Sequence, residues 1–501
     1  MKRILYIKAL VVAALLLLVT ACTVKVPDKF TKVENQPSIF PDNKGVTIPC
    51  NIAPLTFYID DEADEYVTRF TAGSETAVVG GRSVVPSPKQ WRALTGAAKG
   101  SQIKVEVFAC KDGNWKGFAP FTMDVVGDTI DSYISYRLIA PSYVTYEELT
   151  INQRNLTNYD ESVIYNNMLV STEKDGQCIN CHSYKNWRTN NMQFHVRQYQ
   201  GGTIMVIDGK VRKINMKNDS TISAGVYPAF NPCYNVIAYS VNNTGQSFHT
   251  RDANKIEVQD IESDLILYDY DDNTIHRVAT PDTTEFRVFP WWAPDGKTLY
   301  YCCAHFQCHD STGFKEREII ERYQEIKYNI FKKSYNPTTH QFGPQDTVFA
   351  ASAIGQSATL PRVSPDGRYL LFGMAPYGCF HIWHKQSDLY LMDLANDSVR
   401  NLSEINSPDV ESYHSWNSTG RWILFTSRRD DGGFTRLYIA YFDKKGNAHK
   451  PFEVPQQNPL FYRQFYKSYN VPEFMVEPVT ISPQEFAAYV KGKAIKATFK
   501  P

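Results

Sequence analysis

At 501 residues the chain is too long for one ordinary hydrophobic core, so two or more domains are expected. Lysine plus arginine and aspartate plus glutamate each number 53, a balance that gives no electrostatic reason for nucleic acid or another acidic polymer as partner. The 31 Tyr, 27 Gly and 27 Pro favour a mostly β protein of short strands joined by turns.

The first element is an export signal over residues 1–21. Lys2, Arg3 and Lys8 form a basic start, and Ala9 to Val19 form an unbroken apolar run that is short of bilayer length. The run ends in Val19-Thr20-Ala21-Cys22, which looks like a lipobox and implies cleavage before Cys22 with acylation of its thiol. The expected address is the cell envelope, facing the periplasm or the exterior, held on a membrane through lipid on Cys22. Residues 22–45, rich in Pro, Lys, Asn and Asp, read as a membrane tether.

From 46 to 140, alternating segments such as Leu55 to Ile59, Ile103 to Ala109 and Ile130 to Ile139 are separated by Gly, Pro, Asp and Asn turns. That pattern predicts a small β-sandwich-like domain. Cys50 and Cys110 flank it, either as a disulfide or as two independent core thiols.

Residues 141–200 are expected to be a connecting segment, and they carry the chemistry. Gln177-Cys178-Ile179-Asn180-Cys181-His182 contains C-x-x-C-H, the attachment signature of c-type haem. Cys178 and Cys181 would form thioethers to one covalent haem, and His182 would be the proximal ligand of its iron. His195, 13 residues beyond His182, is the favoured candidate for the distal ligand, with Met192 as its local competitor. The competing uses of the motif are a disulfide between Cys178 and Cys181, a thioredoxin-like redox pair, or half of a zinc site. A zinc site would need partners such as Cys303 and Cys308-His309 to converge on it. Cys302, Cys303 and Cys308-His309 otherwise read as strand and loop residues, and His381 and His384 as packed or surface groups.

Residues 201–460 contain the repeats. YPAFNPCYNVIAYSV from Tyr227, FPWWAPDGKTLYYCC from Phe289, LPRVSPDGRYLLFGM from Leu360 and YHSWNSTGRWILFTS from Tyr413 align. Each has an aromatic or apolar start, a turn on Asn-Pro, Pro-Asp-Gly or Ser-Thr-Gly, and then an apolar strand. Pro presets φ for the turn and Gly accepts positive φ, so two strands reverse tightly. These motifs resemble the TolB-type propeller repeat, which implies a β-propeller of about five or six blades. Residues 461–501 remain as a C-terminal closing segment.

The blocks around Tyr136-Arg137-Leu138-Ile139, Gln153-Arg154-Asn155-Leu156 and the C-x-x-C-H-S stretch resemble a group of predicted envelope lipoproteins from Bacteroidetes-type bacteria. The resemblance implies the domain order more than a role. No G-x-S-x-G, H-E-x-x-H, Walker loop or dinucleotide fingerprint is present. Asp430-Asp431 and Asp271-Asp272 sit in turn sequences as solvated pairs. The expected role is therefore electron carrier or binding protein rather than hydrolase: a haem-bearing lipoprotein whose propeller docks an envelope protein partner. A catalytic haem would need an open iron position. The rival expectation is a non-redox propeller lipoprotein that binds a protein or glycan partner, with Cys178 and Cys181 as a structural disulfide.

Overall fold

The computed structural model describes residues 24–140, 148–172, 174–309 and 314–500. The signal segment and Cys22 lie outside them. The chain divides into two compact units, one on residues up to 45, 54–125 and 457–460, the other on 46–53, 126–456 and from 461 onward. Among the described residues no helix is long and apolar enough to cross a membrane.

The first unit is sandwich-like. Strands Glu65–Ala72, Glu75–Gly80, Ser101–Lys111, Asn114–Gly117 and Phe121–Val126 form one antiparallel sheet, and Ile39–Phe40, Phe57–Ile59 and Ser83–Val84 form a smaller one. Phe57 lies 6.2 Å from Phe70 and 6.0 Å from Phe121, so the two sheets share a core. Helix Pro88–Ala97 starts in a capping box of Ser87 and Gln90 and buries Trp91 6.3 Å from Phe70. The tether expected over 22–45 is shorter than that. Thr31–Lys32 pairs with Asn114–Gly117, and Ile39 pairs with Ile59, because a buried isoleucine and its backbone are better satisfied in a sheet than in solvent.

The second unit is a closed six-bladed propeller. Blade two is Gln177–Lys185, Arg188–Gln198, Gly202–Ile207 and Lys210–Asn215; blade three is Val226–Phe230, Val236–Phe248, Ile256–Asp269 and Thr274–Arg277. Blade four is Glu285–Trp292, Thr298–His305 and Asn329–Asn336, edged by Gln341–Phe342 and Asp346–Phe349. Blade five is Ser357–Val363, Tyr369–Ala375, Asp388–Asp393 and Ser398–Asn401. Blade six is Glu411–Trp416, Trp422–Ser427, Arg436–Tyr441 and Phe452–Glu453. Blade one takes Tyr133–Ile139, Thr150–Asn155 and Glu161–Asn166 from before the motif segment and its inner strand, Ser468–Met475, from near the C-terminus. Each inner strand touches the next, and the last touches the first.

The propeller therefore begins well before residue 201, and the segment expected to connect it holds the rest of blade one and the first half of blade two. Five hydrophobic clusters lie between consecutive blades from one to six. Second strands buried on both faces, such as Trp422–Ser427 and Tyr369–Ala375, consequently read as continuous apolar runs rather than alternating ones.

Turn chemistry locks neighbouring blades together. Asn231 Oδ1 accepts from the Cys233 and Tyr234 amides, Asp295 Oδ1 from Lys297 and Thr298, and Asn417 Oδ1 from Arg421 and Trp422. In blades four, five and six the turn glycine faces the turn before it. A Cβ on Gly296 would stand 2.6 Å from Asn231 Oδ1, and one on Gly420 3.2 Å from Pro365. After the closing strand, helix Pro483–Lys491 buries Phe486 and Val490 against blades one and two, and Ile495–Lys496 and Thr498–Phe499 extend the outer edges of blades two and three. Those edges are thereby covered.

Candidate functional site

Every inner strand carries a bulge. At each one a non-glycine residue has positive φ: Cys181, Tyr227, Phe289, Leu360, Tyr413 and Val471, with φ from 36° to 58°. That backbone region costs an L-residue about 1–2 kcal/mol, so six such residues in register mark a constraint of the ring. The next residue is Pro228, Pro290, Pro361 and Pro472 in four blades and His182 and His414 in the other two. Cys181-His182-Ser183-Tyr184 is thus the blade-two counterpart of Tyr413-His414-Ser415-Trp416.

The bulge side chains converge in the channel. Tyr227 meets Phe289 at 4.8 Å, and Phe380 lies 5.9 and 5.8 Å from them. Tyr227 of blade three also feels Tyr413 of blade six from across the ring.

The haem motif lies on this inner strand. Cys178 pairs with Arg197, Ile179 with Val196 and Asn180 with His195. Cys178, Cys181 and His182 are 7%, 3% and 1% exposed. Ile179 and Asn180 lie between the two cysteines, and three extended steps of strand put their Cα atoms about 10 Å apart, beyond the reach of a disulfide; both are free. Thioethers to one macrocycle need both thiols and the imidazole to open on one flat space, which a paired, buried strand does not offer. Burial and the Arg137 charge hold His182 down to about 3, and both of its buried ring nitrogens lack a hydrogen-bond partner among the described residues. Cys178, Cys181 and His182 as folded here do not fit a covalent haem.

His195 has other surroundings. Its Nδ1 shares a 3.0 Å hydrogen bond with Thr203 Oγ1, burial and Arg197 hold its pKa down to about 3, and its ring borders a cavity that His182 does not reach. Met192 packs in the core between blades one and two.

Packing places the other residues singled out in the sequence. All nine described cysteines are free, Cys50 and Cys110 included. Cys303 Sγ donates to Glu285 Oε2 at 2.7 Å, and Cys302 is buried. His384 Nε2 and Glu257 Oε2 stand 2.6 Å apart and buried, while His381 Nε2 bonds the Gly378 carbonyl. Among the described residues no group of three or more His, Cys, Asp or Glu is arranged to hold a metal ion.

Two cavities open into the channel. The ends of all six inner strands form a funnel of about 310 Å³, whose aromatic lining includes Trp187, Trp291, Trp292, Trp416, Phe230 and Phe474. Its indoles are held rigidly: Trp187 Nε1 donates to the Trp416 carbonyl at 2.7 Å and Trp416 Nε1 to the Arg362 carbonyl at 3.0 Å. The Arg362 guanidinium lies 4.1 Å over Trp291. Burial pushes Glu473 up to about 7, opposed by the Arg362 charge. Sequence reasoning missed this funnel because its residues are spread over six repeats; the shared signal was an aromatic two or three positions after the bulge in five of the six blades, blade five having Arg362 and Val363 there. The second cavity, about 570 Å³, lies toward the other end between blades two and three and is bordered by His195 and Tyr227.

No family profile matches the chain, and no curated protein does. Among solved structures, an ACO/RPE65 chimera is 10% identical over 87% of this chain and 97% of its own, with a TM-score of 0.37. Oligogalacturonate lyase from Vibrio parahaemolyticus is 12% identical over 82% and 100%, with a TM-score of 0.32. Prolyl oligopeptidase B from Galerina marginata is 9% identical over 79% and 54%, with a TM-score of 0.35. These likenesses are distant, and the propeller assignment rests on the six sheets.

Proposed function

We propose that this chain is a lipid-anchored envelope protein whose propeller binds a glycan in the aromatic funnel. The anchor is Cys22, and the reading is that of a binding protein rather than an electron carrier. The funnel carries the proposal: all six blades contribute to it, and bound indole N–H groups turn rigid aromatic faces, not free donors, toward a ligand. Apolar concavity with a few polar groups is what a small-ligand site requires. Arg362 and Glu473 offset one another, so the funnel favours a neutral ligand whose C–H faces stack on rings and whose hydroxyls reach Ser183, Ser415 and Asn186.

The test titrates the chain lacking its leader and Cys22 with neutral cello-, xylo-, manno- and chito-oligosaccharides while tryptophan emission is followed. Saturable quenching is expected from one of these classes. It should be lost in Trp291→Ala and after maleimide modification of Cys233, an exposed thiol on the funnel wall. Unchanged emission with all four classes would remove the glycan reading. The anchor is tested separately: alkynyl fatty acid should label the full chain and not Cys22→Ser, and equal labelling would exclude Cys22.

A further inference from the structure

We propose that the outer edge of blade two, together with the C-terminal segment laid along it, docks on an anionic lipid surface. This contact is separate from the aromatic funnel and from lipid on Cys22, so it is tested without either.

The charge is first a property of two stretches of sequence. The whole chain balances 53 Lys plus Arg against 53 Asp plus Glu, yet residues 209–217 and 486–500 together hold eight Lys or Arg and no Asp or Glu. The fold joins the two stretches. Ile495 pairs with Ile214 and Lys496 with Asn215, so Ile495–Lys496 runs beside the outer strand Lys210–Asn215. The Ala497 amide donates to the Asn215 carbonyl at 2.9 Å and the Thr498 amide to the Asn273 carbonyl at 3.0 Å, which fixes the segment on the sheets. Lys210, Lys217, Lys491, Lys493 and Lys496 are all exposed.

Other cations of the two stretches have structural work. Lys213 is buried, and its Nζ donates to the Val490 carbonyl at 2.7 Å and the Gly492 carbonyl at 3.2 Å. It satisfies those carbonyls and offsets the negative end of helix Pro483–Lys491. The exposed Lys491 and Lys493 are therefore not required as its cap. Arg212 donates to the Tyr270 carbonyl at 3.3 Å, and Lys500 stands 3.7 Å from Asp272. Asp208, Asp219 and Glu485 lie just outside the ends of the two stretches.

The apolar groups among these lysines point to a lipid. Tyr489 and Ile495 are 40% and 52% exposed. They border a groove of about 350 Å³ with Val211, Ala488 and Lys493. Lysines on a sheet edge discourage edge-to-edge pairing, but that role has no use for an exposed tyrosine and isoleucine beside them. At a membrane both kinds of group are used. The ammonium groups meet headgroup phosphates as point charges, and the ring and the aliphatic chain enter the boundary beneath. A soluble polyanion would use the charges alone.

The chain without its leader and Cys22 is sedimented with phosphatidylcholine vesicles, made with or without phosphatidylglycerol, at low and at high salt. It should bind only the vesicles that contain phosphatidylglycerol, and high salt should release it. Lys491→Gln, Lys493→Gln and Lys496→Gln should each weaken the partition about fivefold. Lys445→Gln, on an exposed turn residue of blade six, should leave it unchanged. Tyr489→Ala should also weaken it, and a Tyr489→Ala partition equal to that of the wild type would overturn the lipid assignment in favour of a soluble polyanion. No binding to the anionic vesicles, equal binding without phosphatidylglycerol, or binding retained when all three lysines are replaced would each overturn the proposal.

Discussion

Cys181 occupies in blade two the left-handed bulge position that Tyr227 occupies in blade three, with φ of 58° and 48°. The equivalence gives the Cys-His pair a structural reason that does not involve a cofactor. In both blades the extra residue sits at the same bulge of the inner strand, followed by His182 in one and Pro228 in the other.

If that reason is sufficient, Cys181→Leu, which installs the residue found at Leu360, should fold. Its stability in denaturant titration should lie within about 1.5 kcal/mol of the wild type, as for a volume-tolerant core exchange. Wild-type protein made in a host with c-type maturation should show no haem-stained band. A stained band with Cys181 and Cys178 modified would show that the segment is attached to haem before the strand forms.

Gly296 and Gly355 separate backbone strain from packing. Both have positive φ, 66° and 75°, but a Cβ meets Asn231 and Cys233 only at the first; at the second nothing lies within 4 Å. Gly355→Ala should cost about 1–2 kcal/mol from the left-handed backbone alone. Gly296→Ala should cost at least about 1 kcal/mol more, because the turn of blade four must withdraw from blade three. Equal melting temperatures for the two variants would show that the turns are not packed as described.

Glu453 should make stability fall with rising pH. It is buried, and burial first, then Asp430, push its carboxyl well above the ordinary range, against the opposing charges of Arg436 and Arg429. Above an ordinary glutamate pKa of about 4.3, the folded chain keeps a proton that the unfolded chain has lost. The stabilisation is complete below that value and is lost as pH rises toward the raised native one, at up to about 1.4 kcal/mol per pH unit. Glu453→Gln removes the dependence. Urea titrations from pH 4 upward should show the variant gaining on the wild type as pH rises above about 4.3, and parallel curves would contradict the assignment.

Closure of the ring can be tested by truncation. A chain ending at 467 lacks the strand that pairs with Tyr133–Ile139, leaving an open edge on blade one. It should aggregate or lose its cooperative melt. A chain ending at 493 loses only the short edge strands at Ile495–Lys496 and Thr498–Phe499, and should stay monomeric with a modestly lower melting temperature. Size exclusion and circular dichroism distinguish these outcomes.

Blades three to six were legible because their chemistry is local. Asn-Pro, Pro-Asp-Gly or Asn-Ser-Thr-Gly folds its own turn through side-chain acceptors for nearby amides, and an apolar second strand reports burial on both faces wherever it is placed. Blade two was legible only in its outer strand pair near Gly202 to Lys213, since its inner turn at Lys185 to Arg188 lacks those residues, and blade one was hidden because Leu138 pairs with Tyr469, a partner no local pattern can name. The meaning of Cys-x-x-Cys-His lay equally beyond the sequence. Two thiols and an imidazole at that spacing suit a haem if they share one open face, and suit a packed blade if the backbone is extended. Only the pairing of Cys178 with Arg197, fixed by the closure of the whole ring, decides which side each group faces.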